Sequence, residues 1–364
     1  MKITVYNGPI EEFEKILPKE DTTTLTPLIR IMDLMSRGLP TLTEIKSSYD
    51  VLVVYTDEYS GVADHFIEGF LINLMYLSEA FFFKEVYLHN PPIRILHQVE
   101  NPNSGITYQK IDYKHKKLTI SSLKKIKKDF DSIVFGQEKV KNEILNTLYS
   151  LTNKGNHKPV VIMLYGPAGV GKTETAKLIN QIISEGSELF RKQLSMFHNE
   201  SFSSYIFGDK TNSLSKDLID RKTNVILLDE FDKAHPMFYS AFYQMFDEGK
   251  IVDKYYEVNL KNTIIICTSN YSSENEIQQA LGPAIFSRFD NFIKFIPLSN
   301  EAKINIIKTT YKKEILNFNR KDREYLQNEN IEDIMINYVY KFQNAREIQK
   351  TLKRLLAYPL ISKL

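Results

Sequence analysis

The most constraining feature of this 364-residue sequence is an apolar run that ends in a glycine-rich turn. The run is VVIMLY, the turn is GPAGVGKT, and a predicted helix begins at the residues ETAKLI. Two further continuous aliphatic runs, NVILLDE and NTIIICTSN, follow along the chain. Such runs are typical of parallel strands that are covered on both faces. The sequence therefore predicts an α/β fold with a parallel sheet flanked by helices.

The turn after the first run has the spacing G-x-x-x-x-G-K-T, formed by Gly166, Gly171, Lys172 and Thr173. Glycines let the backbone N–H groups face a polyphosphate, and the helix N-terminus adds its dipole. Lys172 is expected to reach the β- and γ-phosphates, and the Thr173 hydroxyl to bind Mg²⁺. The alternative is a glycine-rich strand–helix turn without a ligand. The residues expected to bind ATP here are Gly166, Pro167, Ala168, Gly169, Val170, Gly171, Lys172, Thr173 and Glu174.

The ends of the other two runs carry polar residues. Asp229 is expected to hold Mg²⁺ and Glu230 to orient water, although such a pair could instead cap the next helix. Asn270 ends the third run, where its side chain could sense the γ-phosphate or serve only as a turn residue. The sequence therefore predicts a nucleotide site at one edge of the sheet.

The chain divides by pattern into three parts and a linker. Residues 1–120 predict an N-terminal α/β domain, 121–130 a basic linker, 131–298 a large nucleotide-binding domain, and 299–364 a small α-helical domain. The lysines between Lys124 and Lys128 are typical of a solvated face or linker, with nucleic-acid contact as the alternative.

Within the first part, apolar runs predict strands at 2–8 and 50–61 and a helix at 62–80. Strands are also predicted at 83–90 and 93–100. A hairpin is predicted from 106–113 and 116–120.

Composition narrows the class of protein. Lys and Arg number 47 against 45 Asp and Glu, so the net charge gives no general argument for nucleic acid. The single cysteine, Cys267, excludes an internal disulfide and fits a reducing compartment. The N-terminus lacks a signal-peptide pattern, and the most apolar stretch, 66–83, contains two glutamates and predicts a core helix. We therefore expect a cytoplasmic protein without a membrane span.

Motifs in this order resemble those of AAA+ ATPases, and residues 130–360 are similar to the Clp-type unfoldase and disaggregase branch. The similar segments are VFGQEKVKNEI, LYGPAGVGKTETAKLI and VILLDEFDKAHPMFYSAFYQMFDEGKIVD, with NTIIICTSN as the sensor strand. The resemblance implies that Val134 and Phe135, with Gln137 nearby, line the adenine pocket. It also implies ATP and Mg²⁺ as ligands, and Asn270 as the sensor residue.

Two arginines acquire roles through the same resemblance. The segment LGPAIFSRFDNFIKFIPL is similar to the one that carries an arginine finger, which implies that Arg288 contacts the nucleotide of a neighbouring subunit. The site would then be complete only in a homo-oligomeric ring, typically a hexamer. QNAREIQKTLKRLL is similar to the second sensor segment, which assigns Arg346 to the nucleotide of its own subunit. The alternative for Arg288 is a surface salt bridge.

One segment departs from the Clp pattern. LSMFHNESFSSYIFG fits the residues before the aromatic pore loop, but the chain then reaches the strand at 225 several residues early. The pore loop is therefore expected to be absent, with Tyr205, Ile206 and Phe207 as possible substitutes. No protease-docking tripeptide is recognised either.

Three functions follow from these patterns. The first is a ring ATPase that remodels a protein substrate or adaptor recruited through residues 1–120. The second is a nucleotide-dependent scaffold or switch that threads nothing. The third and least supported is a nucleic-acid motor or loader, since aromatic residues are not interleaved with a basic stripe.

Overall fold

The fold is known from a computed structural model that describes residues 1–37, 48–153, 158–196, 200–235 and 239–361. Within these residues, two five-stranded parallel sheets and a helical C-terminal part follow each other along the chain. The predicted α/β architecture is confirmed. None of the described helices has the length and apolarity needed to cross a membrane.

The N-terminal unit is built on a sheet with the strand order β2-β3-β4-β1-β5. Its core lies between this sheet and the helices on its faces. Its strands are β1 (Lys2–Asn7), β2 (Thr22–Thr24), β3 (Val51–Val54), β4 (Glu85–His89) and β5 (Thr107–Asp112). Its helices are α1 (Ile10–Glu14), α2 (Leu25–Ser36), α3 (Asp64–Glu68), α4 (Phe70–Phe81) and α5 (Ile93–Val99).

The second unit contains a sheet with the order β12-β6-β11-β8-β7 and a separate antiparallel hairpin of β9 and β10. Its strands are β6 (Val160–Tyr165), β7 (Phe190–Gln193), β8 (Val225–Asp229), β9 (Lys250–Val252), β10 (Glu257–Asn259), β11 (Ile264–Ser269) and β12 (Asn291–Lys294). Its helices are α6 (Ile120–Asp129), α7 (Glu138–Tyr149), α8 (Lys172–Ile183), α9 (Glu200–Phe207), α10 (Leu214–Ile219), α11 (Tyr239–Asp247) and α12 (Glu274–Phe286).

The three aliphatic runs of the sequence form β6, β8 and β11, whose residues are all buried. Two apolar clusters cover the two faces of this sheet, as the continuous pattern predicts. The chain then ends in a helical part with its own core. Its helices are α13 (Asn300–Ile315), α14 (Arg320–Asn328), α15 (Ile331–Asn337) and α16 (Ala345–Ile361).

Two predictions for the N-terminal unit were wrong. Residues 93–99 form α5, the crossover that connects the parallel strands β4 and β5, and they bury Ile95 and Val99 on one face. No hairpin forms at 106–120, because β5 pairs in parallel with β1 and residues 113–119 are not a strand. Short apolar runs do not distinguish a strand from a buried helix by periodicity, which explains the first error.

The predicted linker at 121–130 is instead α6, which packs in the core of the second unit. Leu123 and Ile126 are buried there beside residues of α7 and α8, whereas the four lysines of the segment are exposed. The spacing of three residues between Leu123 and Ile126 places both side chains on one face of the helix. The lysines therefore form a solvated helix face, as one alternative predicted.

The N-terminal unit docks on a short segment of the second unit, residues 208–222, which we call the docking segment. Asp220 accepts a hydrogen bond of 2.9 Å from the Ile10 backbone N–H at the start of α1. Burial raises the pKa of the Asp220 carboxyl to about 6. Outside this segment, the Ile93 N–H donates to the Tyr255 carbonyl over 2.7 Å. Ion pairs between described residues add to the contact: Lys210 with Asp64, Lys216 with Asp57 and Lys222 with Glu11.

Candidate nucleotide-binding site

The candidate site lies where β6, β11 and β8 end at one edge of the second sheet. Because these strands are parallel neighbours, the loop after β6, Asn270 and Asp229 meet there. They line a cavity of about 660 Å³ whose other wall comes from the helical C-terminal part. The predicted residues in its lining are Val134, Phe135, Ala168, Gly169, Gly171, Lys172, Thr173, Glu174, Asp229, Glu230, Asn270 and Arg346.

The glycines of the loop meet steric requirements that other residues would not. Gly166 has a φ of +130°, and a Cβ there would lie 2.4 Å from the carbonyl oxygen of Phe295. Gly169 has a φ of +73°. Its carbonyl accepts a hydrogen bond from the N–H of Ala345 at the start of α16. The loop is therefore held closely between the residue after β12 and the helical part. Three loop residues predicted to bind ATP lie outside the cavity lining: Gly166, Pro167 and the buried Val170.

Lys172 opens α8 and lies almost fully buried against the loop. Its Nζ donates hydrogen bonds to the carbonyls of Gly166, at 2.5 Å, and Pro167, at 2.8 Å, and to Asn270 Oδ1 at 3.2 Å. Burial lowers the pKa of the Lys172 amine to about 8, although nearby Asp232 and Asp229 act in the opposite direction. The ammonium is thus close to the loop atoms around which phosphates are predicted to bind.

Asp229 is held by two side chains that sequence reasoning missed. Arg191 of β7 donates from Nε and Nη2 to Asp229 Oδ2, at 2.9 and 2.6 Å, and the Thr268 hydroxyl of β11 donates to Oδ1. Arg191 lies on the strand beside β8, and Thr268 lies near the end of the strand on the other side. The acid is therefore fixed from both neighbouring strands.

Glu230 follows in a left-handed backbone conformation with a φ of +57°. Its N–H donates to Thr268 Oγ1 over 3.0 Å, and its carboxylate accepts from Gln193 Nε2 over 3.1 Å. Non-glycine residues seldom adopt this conformation, and such strain is common at functional sites. The Glu230 side chain makes no capping hydrogen bond to the helical turn that follows. The alternative reading of the acid pair as a helix cap is therefore wrong.

The wall opposite the sheet combines the residues before α7 with the helical part. Val134 is buried in this wall, whereas Gln137 lies outside the lining and bridges to the Ile296 backbone with hydrogen bonds of 2.8 and 3.2 Å. Arg346 is exposed at the start of α16 and lines the cavity with residues that the sequence did not indicate. These additional residues include Ile306, Thr309, Thr310, Lys313 and Gln349. These residues lie on amphipathic helices and belong to no recognisable motif. Their position in the cavity lining could therefore not be predicted from the sequence.

Arg288 lies outside the lining of this cavity. Its Nε donates to Asp247 Oδ2 over 2.7 Å, and its guanidinium lies 4.3 Å from the centroid of the Tyr243 ring. The residue follows α12 and keeps about a quarter of its side chain exposed. The structure thus does not bring Arg288 to the nucleotide cavity of its own chain.

The two predicted metal ligands, Thr173 and Asp229, both line the cavity. Among the described residues, no group of three His, Cys, Asp or Glu side chains could hold a metal ion without further ligands. This donor set fits Mg²⁺, which typically takes one or two protein ligands together with phosphate oxygens and water.

Two of the three proposed pore-loop substitutes were wrong. Tyr205 and Ile206 are buried in the core, and the Tyr205 hydroxyl donates to Asp217 over 2.7 Å. Phe207 is 47% exposed and is the remaining aromatic side chain at this position. The following residues belong to the docking segment, which contacts the N-terminal unit.

Comparison with known proteins supports the resemblance. Residues 157–337 match the family described as AAA domain (Cdc48 subfamily). The chain is similar to the ATP-dependent Clp protease ATP-binding subunit ClpL of Staphylococcus aureus strain MRSA252, with 30% identity over 214 residues that cover 52% of this chain and 30% of that protein. The same-named proteins of strains bovine RF122 / ET3-1 and USA300 have 30% and 29% identity at the same coverage. The chain thus spans about 30% of the length of the curated relatives that it matches.

Proposed function

We propose that the Clp-type AAA+ ATPase domain carried by this chain hydrolyses ATP between the subunits of a ring and thereby remodels a protein partner. The partner would be recruited through the N-terminal unit. The observation that supports this most is the division of the site: the cavity gathers the loop, Asp229, Glu230, Asn270 and Arg346, whereas Arg288 lies outside its lining. A reducing, cytoplasmic location is part of the proposal, since Cys267 is a buried free thiol.

Each residue of the cavity has a specific part in this proposal. Lys172 exchanges its loop carbonyls for phosphate oxygens, and Asn270 positions the γ-phosphate end. Glu230 orients and deprotonates the attacking water, with Gln193 holding its carboxylate. Thr173 and Asp229 would hold Mg²⁺, which supplies positive charge to the phosphate oxygens when bound.

Arg288 completes the site of the neighbouring subunit. A fixed guanidinium stabilises the charge that spreads over the γ-phosphate oxygens in the transition state. The Asp247 contact and the Tyr243 ring orient it on its own chain. A side chain that is already held in one orientation loses less conformational entropy when it binds the neighbouring nucleotide than a mobile side chain does.

The ATPase assignment predicts a pattern of three variants. We expect Glu230→Gln to bind ATP but to lower turnover by about 100-fold or more, because the amide cannot accept the proton of water. Lys172→Ala should lose nucleotide affinity, and Arg288→Ala should lower turnover by about 1,000-fold while nucleotide binding remains. Turnover and binding of a fluorescent ATP analogue, measured on the same preparations, test the pattern.

The ATPase assignment has a matched control variant and a result that would contradict it. Arg320→Ala removes an exposed arginine of α14 and should leave turnover unchanged. Wild-type turnover in both Lys172→Ala and Glu230→Gln would show that the site is assigned wrongly. In a mixing experiment, Glu230→Gln subunits should restore activity to Arg288→Ala subunits, because each supplies what the other lacks.

The second candidate is a nucleotide-dependent switch that assembles with ATP and threads nothing. One observation favours it: the segment at the position of the pore loop binds the N-terminal unit through Lys210, Lys216 and Asp220. Residues engaged in this contact are not free to grip a polypeptide.

A substrate-unfolding assay distinguishes the two candidates. The remodelling proposal expects ATP-dependent loss of fluorescence from a tagged fluorescent protein, reduced by Phe207→Ala. Tyr76→Ala, which removes an exposed tyrosine of α4, is the control and should have no effect. If the wild type assembles with ATP but unfolds nothing, the switch is the function.

A further inference from the structure

A second cavity, of about 800 Å³, lies between the N-terminal unit and the ATPase domain. One side is formed by the ends of β1 and β5 and by one face of α5. The other side is formed by the end of the docking segment and by the chain from Tyr256 to Asn262. Its lining shares no residue with that of the ATP cavity. It is therefore a separate candidate site.

The position of this cavity follows from the topology of the N-terminal sheet. β1 leads to β2 on one side of the sheet, whereas the neighbouring β4 leads to β5 on the other side. In open parallel sheets such a reversal leaves a crevice outside the carboxyl ends of the strands, where ligands bind. Asn7 and Gly8 at the end of β1 and Pro91 after β4 line the cavity at this point.

Positive charge in the lining is not neutralised by the protein. Four cations of the lining form no ion pair with any described residue: Arg221, Lys114, Lys117 and Lys261. The acidic residues of the lining do not neutralise these four cations. Glu100 is already paired with Lys110 and Glu257 with Lys250, so Asp112 is the acid of the lining without an ion pair among the described residues. The cavity thus carries a net positive charge that an anionic ligand would neutralise.

Arg221 is the most informative of these cations because it is buried as well as unpaired. Only 5% of the residue is exposed, its Nη1 donates to the Leu218 carbonyl over 2.5 Å, and its Nε has no partner among the described residues. Burial lowers the pKa of its guanidinium to about 9. A buried guanidinium without a counter-ion destabilises the fold unless a ligand supplies the charge.

Two more side chains around the cavity have unused hydrogen-bonding capacity. Asn7 Oδ1 and His115 Nδ1 are buried without a partner in the described part of the chain. Both atoms can accept a hydrogen bond from a hydroxyl group. A ligand with anionic oxygens and hydroxyls would satisfy the cations and these acceptors together.

We propose that the cavity between the N-terminal unit and the ATPase domain binds a small phosphate ester of nucleotide size, with Arg221 binding the phosphate. Guanidinium groups bind phosphate in a bidentate manner, and the three lysines add charge around it. The volume lies within the range of small-molecule sites, about 300–1,000 Å³. Binding in this cavity does not depend on ATP hydrolysis at the first site.

A tryptophan reporter separates this cavity from the ATP site. The chain contains no tryptophan, and Tyr113 lines the second cavity but not the ATP cavity. In a protein that carries Tyr113→Trp and Lys172→Ala, titration with pyrophosphate, ribose 5-phosphate and ADP should give saturable fluorescence changes. At about 50 mM salt we expect dissociation constants below about 1 mM, rising with ionic strength.

Adding Arg221→Gln to this protein should weaken binding by about tenfold or more, because a charged hydrogen bond is lost. Arg320→Gln, which removes an exposed arginine outside the cavity lining, should change nothing. Lys117→Gln with Lys261→Gln, both at exposed positions, should weaken binding and reduce its salt dependence without affecting the fold.

The outcomes decide both parts of the proposal. Tighter binding of ribose 5-phosphate or ADP than of pyrophosphate supports an ester, whereas tighter pyrophosphate binding overturns the ester and leaves a site for free phosphates. If Arg221→Gln leaves the affinities unchanged in a protein with the wild-type circular dichroism spectrum, Arg221 does not bind the phosphate. If neither the reporter nor calorimetry on Lys172→Ala detects binding, the site does not exist.

Discussion

At the residue scale, Lys172 shows how burial prepares a side chain for a ligand of opposite charge. Its amine lies among loop carbonyls and Asn270, and burial holds its pKa near 8. A bound polyphosphate favours the charged form and raises this pKa again. Binding is therefore linked to proton uptake wherever the free amine is neutral.

This linkage predicts the pH dependence of nucleotide affinity. As pH rises from 7 to 9.5, the free Lys172 loses its proton through a pKa of about 8, so the ADP dissociation constant should increase by roughly tenfold or more. Isothermal titration calorimetry in buffers of different ionisation enthalpy should show proton uptake at pH 9. Lys172→Arg stays charged throughout this range and should remove the dependence. Equal affinities at pH 7 and 9.5 would contradict the assignment.

Single residues also show how far the site could be predicted from sequence. Gly166, Lys172 and Asp229 lie in local patterns with their own spacing, so their meeting at one sheet edge follows from the parallel strands. Arg191 and Gln193 could not be predicted in the same way. They belong to a short, half-buried polar strand, and their contacts with Asp229 and Glu230 depend on its register beside β8.

At the element scale, α6 belongs to the second unit and not to a linker. Its lysine-rich composition suggested a solvated connection, but Leu123 and Ile126 lie on the face that packs into the core. The lysine-rich composition reflects the exposed face of this helix. The spacing of its two apolar residues indicates which face packs in the core. A protein that begins after residue 130 would lack this part of the core.

The packing of α6 can be measured by removing one side chain. Ile126→Ala should lower the free energy of unfolding by about 2–5 kcal/mol, because it removes fully buried methyl groups and leaves a cavity. Lys125→Ala on the exposed face should change it by less than about 0.5 kcal/mol. Urea unfolding followed by circular dichroism gives both values. A linker would show the same small effect for both variants.

The errors in the N-terminal unit arise at this scale as well. Ile93–Val99 is too short for helical periodicity to be distinguished from strand alternation. β5 reads as one arm of a hairpin because nothing in its sequence specifies a parallel partner about 100 residues away. Strand pairing over that distance depends on the arrangement of the whole sheet, and a local sequence pattern carries no information about that arrangement.

At the scale of the whole molecule, the N-terminal unit and the second unit share a charged interface. Lys210 of the docking segment meets Asp64 at the start of α3, and Lys216 meets Asp57 in the turn before that helix. Interdomain contacts of this polar kind are commonly reversible. We therefore expect the N-terminal unit to separate from this interface and return to it reversibly.

Charge reversal tests this interface. Lys210→Glu with Lys216→Glu places like charges opposite each other and should release the N-terminal unit, with faster amide hydrogen exchange in residues 57–64 and 208–222. Adding Asp57→Lys and Asp64→Lys restores opposite charges in the reverse sense and should restore protection. Lys350→Glu, at an exposed position of α16, is the control. Unchanged exchange in the first variant would mean that the ion pairs do not hold the units together.

The order of residues along β8 has a mechanical consequence. The docking segment ends three residues before Val225, and the strand that begins there ends at Asp229. Four extended steps of about 3.3 Å give a rod of roughly 13 Å, and a hydrogen-bonded strand between two neighbours cannot stretch. A displacement at the interface and a displacement of Asp229 are therefore joined by a stiff strand. A force on the N-terminal unit would reach the candidate nucleotide site as displacement along that axis, because only Thr223 and Asn224, both buried, separate the docking segment from the strand.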